Sequence, residues 1–183
     1  QLTLTEGFSL VMLEALRSGR VDMALLYNPP ASPDIERELL RQESLALLAS
    51  QRSIAALGRP LKSRVPLAAL AELPLILPSR PNAFRLALEA GMSQIGLDPR
   101  IELEVDGLNA IVDLVREGLG FAVLPPYTLS GLPEPHPFSL HAITPPKLHS
   151  ELVLVSSARR PSTETHKAVR KLLAETLAQT VPA

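Results

Sequence analysis

Short runs of apolar residues, separated by segments with helical spacing, constrain the fold of this chain more than any other feature. The runs cover residues 21–27, 44–50, 75–77, 121–124 and 151–156. Strands that are buried on both faces of a parallel sheet have this nearly continuous apolar pattern. Several segments between them carry apolar residues at every third or fourth position, which is typical of amphipathic helices. Helices that alternate with buried strands predict an open α/β sheet.

The first 27 residues predict a strand, a helix and a second strand. Residues 1–5 alternate in polarity as a strand does, and residues 10–17 have the spacing of a helix that Gly19 ends. One side of this helix carries Leu10, Leu13 and Leu16. Together with the apolar run at 21–27, these elements predict a βαβ unit.

The same spacing predicts four later helices. They cover residues 67–73, 84–96, 110–116 and a C-terminal segment that Ser162 caps. The apolar stripe of the last helix consists of Val169, Leu172, Leu173 and Leu177. A further strand is predicted over residues 101–105. Residues 125–149, which contain many of the 18 prolines, are predicted to be irregular.

Composition excludes several classes of protein. The chain has no cysteine, which excludes disulfides, thiolate zinc ligands and a cysteine nucleophile. Its net charge of −1 lacks the basic surplus of a nucleic-acid-binding module, and its apolar runs are too short to cross a membrane. The four histidines lack the spacing of a zinc pair, and we interpret them as scattered surface residues: His136, His141, His149 and His166. We therefore expect neither a metal nor a cofactor.

Three loops at the carboxyl ends of predicted strands form the candidate ligand site, because ligands bind there in open α/β sheets. The loops cover residues 7–9, 78–82 and 106–109, and each leads into a helix N-terminus whose free N–H groups favour an anion. Arg80 could bind a carboxylate through two hydrogen bonds, or it could be a solvated loop arginine or form a salt bridge between the two lobes. Asp106 would repel an anion unless it faces away, accepts a hydrogen bond from the ligand, or the ligand is zwitterionic.

Two short motifs admit an enzymatic interpretation that other features oppose. Gly118-Leu119-Gly120 follows a helix and enters a strand, the reverse of a dinucleotide-binding loop, so it favours a helix C-cap. Ser9 could be the nucleophile of a Gly7-Phe8-Ser9 elbow, but Val11 replaces the second glycine of that motif. We interpret Ser9 as a residue that caps or starts a helix. No catalytic residue and no enzyme activity are predicted.

Three segments resemble the effector-binding domain of LysR-type transcriptional regulators. Residues 13–25, LEALRSGRVDMAL, are similar to the family's L-x-x-G-x-x-D-x-A-L pattern. Residues 73–79, LPLILPS, resemble its strand into the ligand loop, and residues 111–125, IVDLVREGLGFAVLP, resemble its LV-x-x-G-x-G-[IF]-x-x-LP signature. Residues 25–29 and 78–82 are similar to the branch that includes the nitrogen-assimilation-control regulator. The resemblance covers essentially the whole chain.

The resemblance implies two Rossmann-like lobes of the type 2 periplasmic-binding-protein architecture, joined by two crossover strands. Residues 1–43 and 150–183 would form lobe I, and residues 44–149 would form lobe II. In this family a small effector lies between the lobes. The positions that match its contacts are Ser9, Pro78, Ser79, Arg80, Asp106, Gly107 and Asn109.

The same resemblance implies a biological role. The chain would be the effector-sensing domain of a cytoplasmic bacterial transcription regulator, without contact with a membrane. It would transmit the binding of a small, anionic molecule through rearrangement of a homodimer or homotetramer. The winged helix-turn-helix that contacts DNA is expected to be absent from the chain, and lobe I to lack its first strand and helix. The alternatives are a periplasmic solute-binding protein of a transporter and an α/β hydrolase or transferase.

Overall fold

The computed structural model describes residues 2–130, 132, 135–160 and 162–180. The described residues form five α-helices and nine strands in this order: α1 Ser9–Arg17, β1 Met23–Tyr27, β2 Ile35–Ser44, β3 Ala46–Ser50, α2 Gln51–Leu57, β4 Arg64–Pro66, β5 Leu75–Leu77, α3 Ala83–Ser93, β6 Ile101–Glu104, α4 Leu108–Arg116, β7 Ala122–Leu124, β8 Phe138–Thr144, β9 His149–Ser157 and α5 Glu164–Thr180. Two short 3₁₀ helices cover Leu67–Glu72 and Pro126–Leu129. None of the described helices is both long and apolar enough to span a membrane.

The chain divides into two compact units. Unit 1 consists of residues 1–42 and 151–183, and unit 2 consists of residues 43–150. The sequence predicted these boundaries after residues 43 and 149. The chain passes from one unit to the other within β2 and again within β9.

Unit 1 contains a three-stranded sheet in the order β1, β9, β2. Strand β1 is antiparallel to β9, with Leu26 opposite Val153. The apolar side of α1 packs on this sheet, and the buried core consists of Leu13, Leu16, Leu26, Ile35, Val153 and Val155. Because β1 pairs only with β9, it is an edge strand of the sheet among the described residues.

Unit 2 contains two sheets. The larger has the order β4, β8, β3, β7, in which β3 is antiparallel to both of its neighbours and β4 is parallel to β8. The smaller pairs β5 with β6 in parallel, and Leu75 also bridges to Phe121 in parallel. Strands β3, β5 and β7 are buried along their whole length. This confirms the prediction that these three apolar runs are buried strands, although β3 is antiparallel rather than parallel to its neighbours.

The N-terminal βαβ unit was predicted wrongly. Residues 2–8 lie outside any helix or strand, with Leu2 and Leu4 exposed, because no strand of the described residues pairs with them. Strand β1 is antiparallel and only partly buried, whereas the sequence predicted a parallel strand buried on both faces. The helix α1 is confirmed, although Leu10 points away from its buried side and is exposed.

The other differences concern element ends and weak patterns. Residues 138–144 form β8 within the segment that was predicted to be irregular, because this strand joins β3 and β4. The sequence analysis also missed the short helix α2 and the short strand β4. Thr163, not Ser162, caps α5, since its hydroxyl accepts a hydrogen bond from the N–H of His166.

Candidate functional site

Two of the predicted ligand loops meet at the carboxyl ends of β5 and β6. The N–H of Val105 donates to the carbonyl of Leu77 at 2.9 Å, which extends the parallel pairing to the end of β5. Directly beyond this bond, Asp106 Oδ1 accepts a hydrogen bond of 2.9 Å from the N–H of Ser79. The structure therefore brings the segments 78–80 and 106–109 together, as the strand-end argument predicts.

Arg80 extends from this loop and is bound on one side by Glu89 of α3. Its Nε lies 3.1 and 3.0 Å from the two carboxylate oxygens of Glu89, and its Nη2 lies 2.9 Å from Oε1. The side chain is nevertheless 65% exposed. This ion pair joins two residues of unit 2, so it is not the predicted salt bridge between lobes. An arginine held by one carboxylate keeps further donors for a ligand.

Arg85 is the main residue of this site that the sequence analysis missed. Its side chain is only 7% exposed, and it makes three contacts from the first turn of α3. Nε donates to Glu89 at 2.8 Å, and Nη1 donates to Glu104 at 2.7 Å and to the carbonyl of Pro78 at 3.2 Å. Arg85 thus ties the loop after β5 to both α3 and β6. The spacing of four residues between Arg85 and Glu89 was a signal for part of this arrangement.

The charges of this cluster stabilise one another. Burial alone would raise the pKa of Glu89, but hydrogen bonds from Arg80 and Arg85 hold it below its ordinary value. Burial alone would lower the pKa of Arg85, whereas hydrogen bonds to Glu89 and Glu104 raise it above its ordinary value. Glu89 and Arg85 are therefore both charged at neutral pH.

The helix starts at this site differ from the prediction in one respect. Gly107 is the N-cap residue of α4, and Asn109 is the second residue of the helix, so Asn109 does not cap it. The helix begins two residues earlier than its apolar spacing indicated. The buried Asn82 caps α3, because its side-chain oxygen accepts hydrogen bonds from the N–H groups of Phe84 and Arg85.

Ser9 belongs to unit 1, whereas the other six predicted site residues belong to unit 2. It is the first residue of α1, but it does not cap the helix. Its Oγ accepts a hydrogen bond of 2.9 Å from the N–H of Tyr27 at the end of β1. This contact of the Ser9 hydroxyl is with a backbone N–H, so it ties the start of α1 to the end of β1.

The remaining motifs have structural roles. Gly118 follows α4 with a φ of 84°, which confirms the helix C-cap interpretation. A Cβ at Gly120 would lie 2.6 Å from the carbonyl oxygen of Pro74, so the approach of these two backbone segments requires glycine. His141 is buried, contrary to the prediction of surface histidines, with Lys62 and Ser139 as its hydrogen-bond partners. The described residues contain no cluster of metal-binding side chains.

Unit 1 also has a small pocket that none of the predicted site residues lines. Its lining residues are Asp22, Met23, Glu36, Ser156, Ser157, Arg160, Ser162, His166 and Arg170. Each arginine is already paired within the pocket: Arg160 lies 3.5 Å from Asp22, and Arg170 lies 3.9 Å from Glu36. This internal compensation favours a surface ion-pair network over a ligand site.

Comparison with known families assigns the whole fold to one family. The family model described as the LysR substrate binding domain matches residues 1–178. This chain belongs to that family. The family model covers both units, including the predicted site loops.

Two curated relatives are transcriptional regulators. The uncharacterized HTH-type transcriptional regulator YfeR of Shigella flexneri is 28% identical over 149 residues, which are 81% of this chain and 46% of YfeR. The nitrogen assimilation regulatory protein nac of Escherichia coli K12 is 27% identical over 178 residues, 97% of this chain and 56% of nac. The chain thus spans about half the length of these relatives.

A solved structure shows the same fold. The regulatory domain of CcmR from Synechocystis PCC6803, in complex with 2-PG, superposes with a TM-score of 0.83 at 19% sequence identity. The match covers 100% of this chain and 86% of the CcmR chain. The two-lobed fold of LysR substrate-binding domains, of type 2 periplasmic-binding-protein architecture, is therefore the fold of this chain, as the sequence predicted.

Proposed function

We propose that this chain is the effector-sensing part of a LysR-type transcription regulator, and that residues 78–80 and 106–109 recognise the effector. The observation that carries the proposal is the hydrogen bond between the Ser79 N–H and Asp106 Oδ1, which joins two of the predicted ligand loops in a chain of the LysR substrate-binding family. The CcmR domain, which has the same fold, is in complex with 2-PG, which supports a small-molecule ligand here. Ser9 is a further proposed contact, on the resemblance alone.

The effector in this proposal carries a carboxylate or another acidic group. Arg80 is exposed, and its Nη1 donates to no other described residue, so it can donate hydrogen bonds to such a group. Arg85 supports this role indirectly, because it holds the carbonyl of Pro78 and thereby the backbone that positions Arg80.

The proposal favours regulation over transport and catalysis. The curated relatives are named as regulators, which supports a cytoplasmic DNA-binding protein rather than a periplasmic solute-binding protein. Contact with DNA would belong to a separate winged helix-turn-helix domain, and the response would pass through a homodimer or homotetramer.

Thermal unfolding of this chain with small carboxylates, amino acids, phosphate and sulfate tests the proposal. A ligand that binds only the native state stabilises it, and at ten times its Kd we expect the midpoint to rise by about 3–6 °C. Arg80→Gln should remove this rise. The matched control is Arg59→Gln, which removes an exposed arginine that forms a 3.5 Å ion pair with Glu72.

Two results would contradict the proposal. If none of these compounds stabilises the unmutated chain, effector binding by this chain is wrong. If Arg80→Gln binds the stabilising compound as tightly as Arg59→Gln does, effector binding stands but the assignment of the site to residues 78–80 is wrong.

A further inference from the structure

Two opposite charges close to Ser79 along the chain or by hydrogen bond are exposed to solvent. One is the carboxylate of Asp106, whose Oδ1 accepts the Ser79 N–H and whose Oδ2 accepts no hydrogen bond among the described residues. The other is the guanidinium of Arg80, the next residue in the chain, which Glu89 holds through Nε and Nη2. The two joined loops therefore present both an exposed cation and an exposed anion.

Arg80 and Asp106 do not neutralise each other. These two residues form no ion pair with each other within 4.0 Å, although the Asp106 carboxylate accepts a hydrogen bond from the N–H of Ser79, the residue before Arg80. A ligand therefore has no Arg80–Asp106 ion pair to break, and Arg80 stays paired with Glu89. Both charged groups are exposed, so each can bind a ligand group of opposite sign.

A ligand with only negative charge meets two obstacles here. First, Asp106 already occupies the N–H of Ser79, so this backbone donor is not open to a ligand anion. Second, the cluster of Arg80, Arg85, Glu89, Glu104 and Asp106 contains two positive and three negative groups, a net charge of −1. A purely anionic ligand would be attracted by Arg80 but repelled by the surplus charge.

Resting on the proposed function, we infer that the effector of this site is an amino acid or a similar zwitterion. Its carboxylate binds Arg80 and its ammonium group binds Asp106. Asp106 is thus the residue that distinguishes an amino acid from the carboxylic acid of the same skeleton. A charge-assisted hydrogen bond from the ammonium group to this exposed carboxylate contributes about tenfold in affinity.

Matched pairs of compounds test this inference on the unmutated chain. The pairs are L-alanine with propionate, L-glutamate with glutarate and L-phenylalanine with 3-phenylpropionate. In each pair the second compound lacks the α-amino group. We expect at least one amino acid to bind about tenfold or more tightly than its partner, measured by calorimetric titration and thermal shift.

The decisive variant is Asp106→Asn. Asparagine keeps an oxygen that can accept the Ser79 N–H, so the loop is held while the charge is removed. The preference for the amino acid over its partner should then disappear. Asp98→Asn, which removes an exposed carboxylate between α3 and β6, is the matched control and should keep the preference.

The outcomes separate this inference from the proposed function. If carboxylates without the amino group, phosphate or sulfate bind as tightly as the amino acids do, the inference is overturned while effector binding stands. If an amino acid is preferred but Asp106→Asn keeps that preference, the role of Asp106 is overturned. If no compound binds the unmutated chain, the proposed function and the inference both fail.

Discussion

Strand β1 of unit 1 and strand β5 of unit 2 both consist of a short apolar run, but they have different neighbours in their sheets. Strand β5 pairs with β6 on one side and bridges to Phe121 on the other, and its three residues are buried. Strand β1 pairs only with β9 and is partly exposed, with Leu25 at 37%. An apolar run thus shows which side chains can be buried, whereas the number of neighbouring strands decides how many are.

The largest expected effect tests this contrast directly. Leu77 of β5 is 1% exposed, so Leu77→Ala should lower the free energy of unfolding by about 2–5 kcal/mol through lost burial and a cavity. Leu25→Ala in β1 should cost less than about 1 kcal/mol, because that side chain is already partly in water. Urea unfolding followed by circular dichroism measures both values.

Leu26→Ala is the control within unit 1. Leu26 is fully buried in the core with Val153. Leu26→Ala should therefore lower the free energy of unfolding by about as much as Leu77→Ala does, and by more than Leu25→Ala does. Equal costs for Leu25→Ala and Leu77→Ala would show that β1 is as buried as β5, and the contrast between the two strands would be wrong.

This contrast also explains which parts of the fold could be predicted. Periodicity identified α1, α3 and α4 and the strands β5, β6 and β7, because local spacing reports the buried face of an element. It failed for residues 2–5, whose alternation was real but whose strand pairing depends on residues far along the chain. Strand β8 was missed for the same reason, since its partners β3 and β4 are distant in sequence.

The candidate site was predicted to a similar extent. The strand-end rule selected the segments at 78–82 and 106–109 correctly as neighbours, because β5 and β6 are parallel. It could not show that Asp106 binds the N–H of Ser79 or that Arg85 is buried between α3 and β6. Those contacts depend on the register of the two strands, which no local pattern contains.

The ion pairs of the two units give the second expected effect. Arg85 in unit 2 is buried and pairs with the largely buried Glu89 and the exposed Glu104, whereas Arg170 in unit 1 is 40% exposed and lies 3.5 Å from Glu38. Arg85→Met should destabilise the chain by about 2–3 kcal/mol, below the full cost of an unpaired buried charge because Arg80 still binds Glu89. Arg170→Met should cost less than about 1 kcal/mol.

Urea unfolding of both methionine variants makes the comparison. Arg85→Met should also lower the affinity for any ligand that binds Arg80, because the carbonyl of Pro78 loses its hydrogen-bond donor. If Arg170→Met lowers the free energy of unfolding as much as Arg85→Met does, the exposed and the buried arginine contribute equally to stability. That result would contradict the difference between the two units that we infer.

The smallest expected effect is the pH dependence that comes from Glu89. Hydrogen bonds from Arg80 and Arg85 outweigh the opposing effect of burial, so the folded pKa of Glu89 lies below the ordinary value of 4.5. The unfolded chain therefore binds the proton more tightly, and this contribution to stability is complete above about pH 4.5 and decreases as the pH falls through the lower folded pKa. Unfolding midpoints measured between about pH 7 and pH 3 should fall as the pH decreases, and this fall should be smaller in Glu89→Gln. Glu102→Gln, which removes an exposed carboxylate from β6, is the control. If Glu89→Gln leaves the slope of stability against pH unchanged, the arginines do not hold the charge of Glu89 in the folded chain as the geometry indicates.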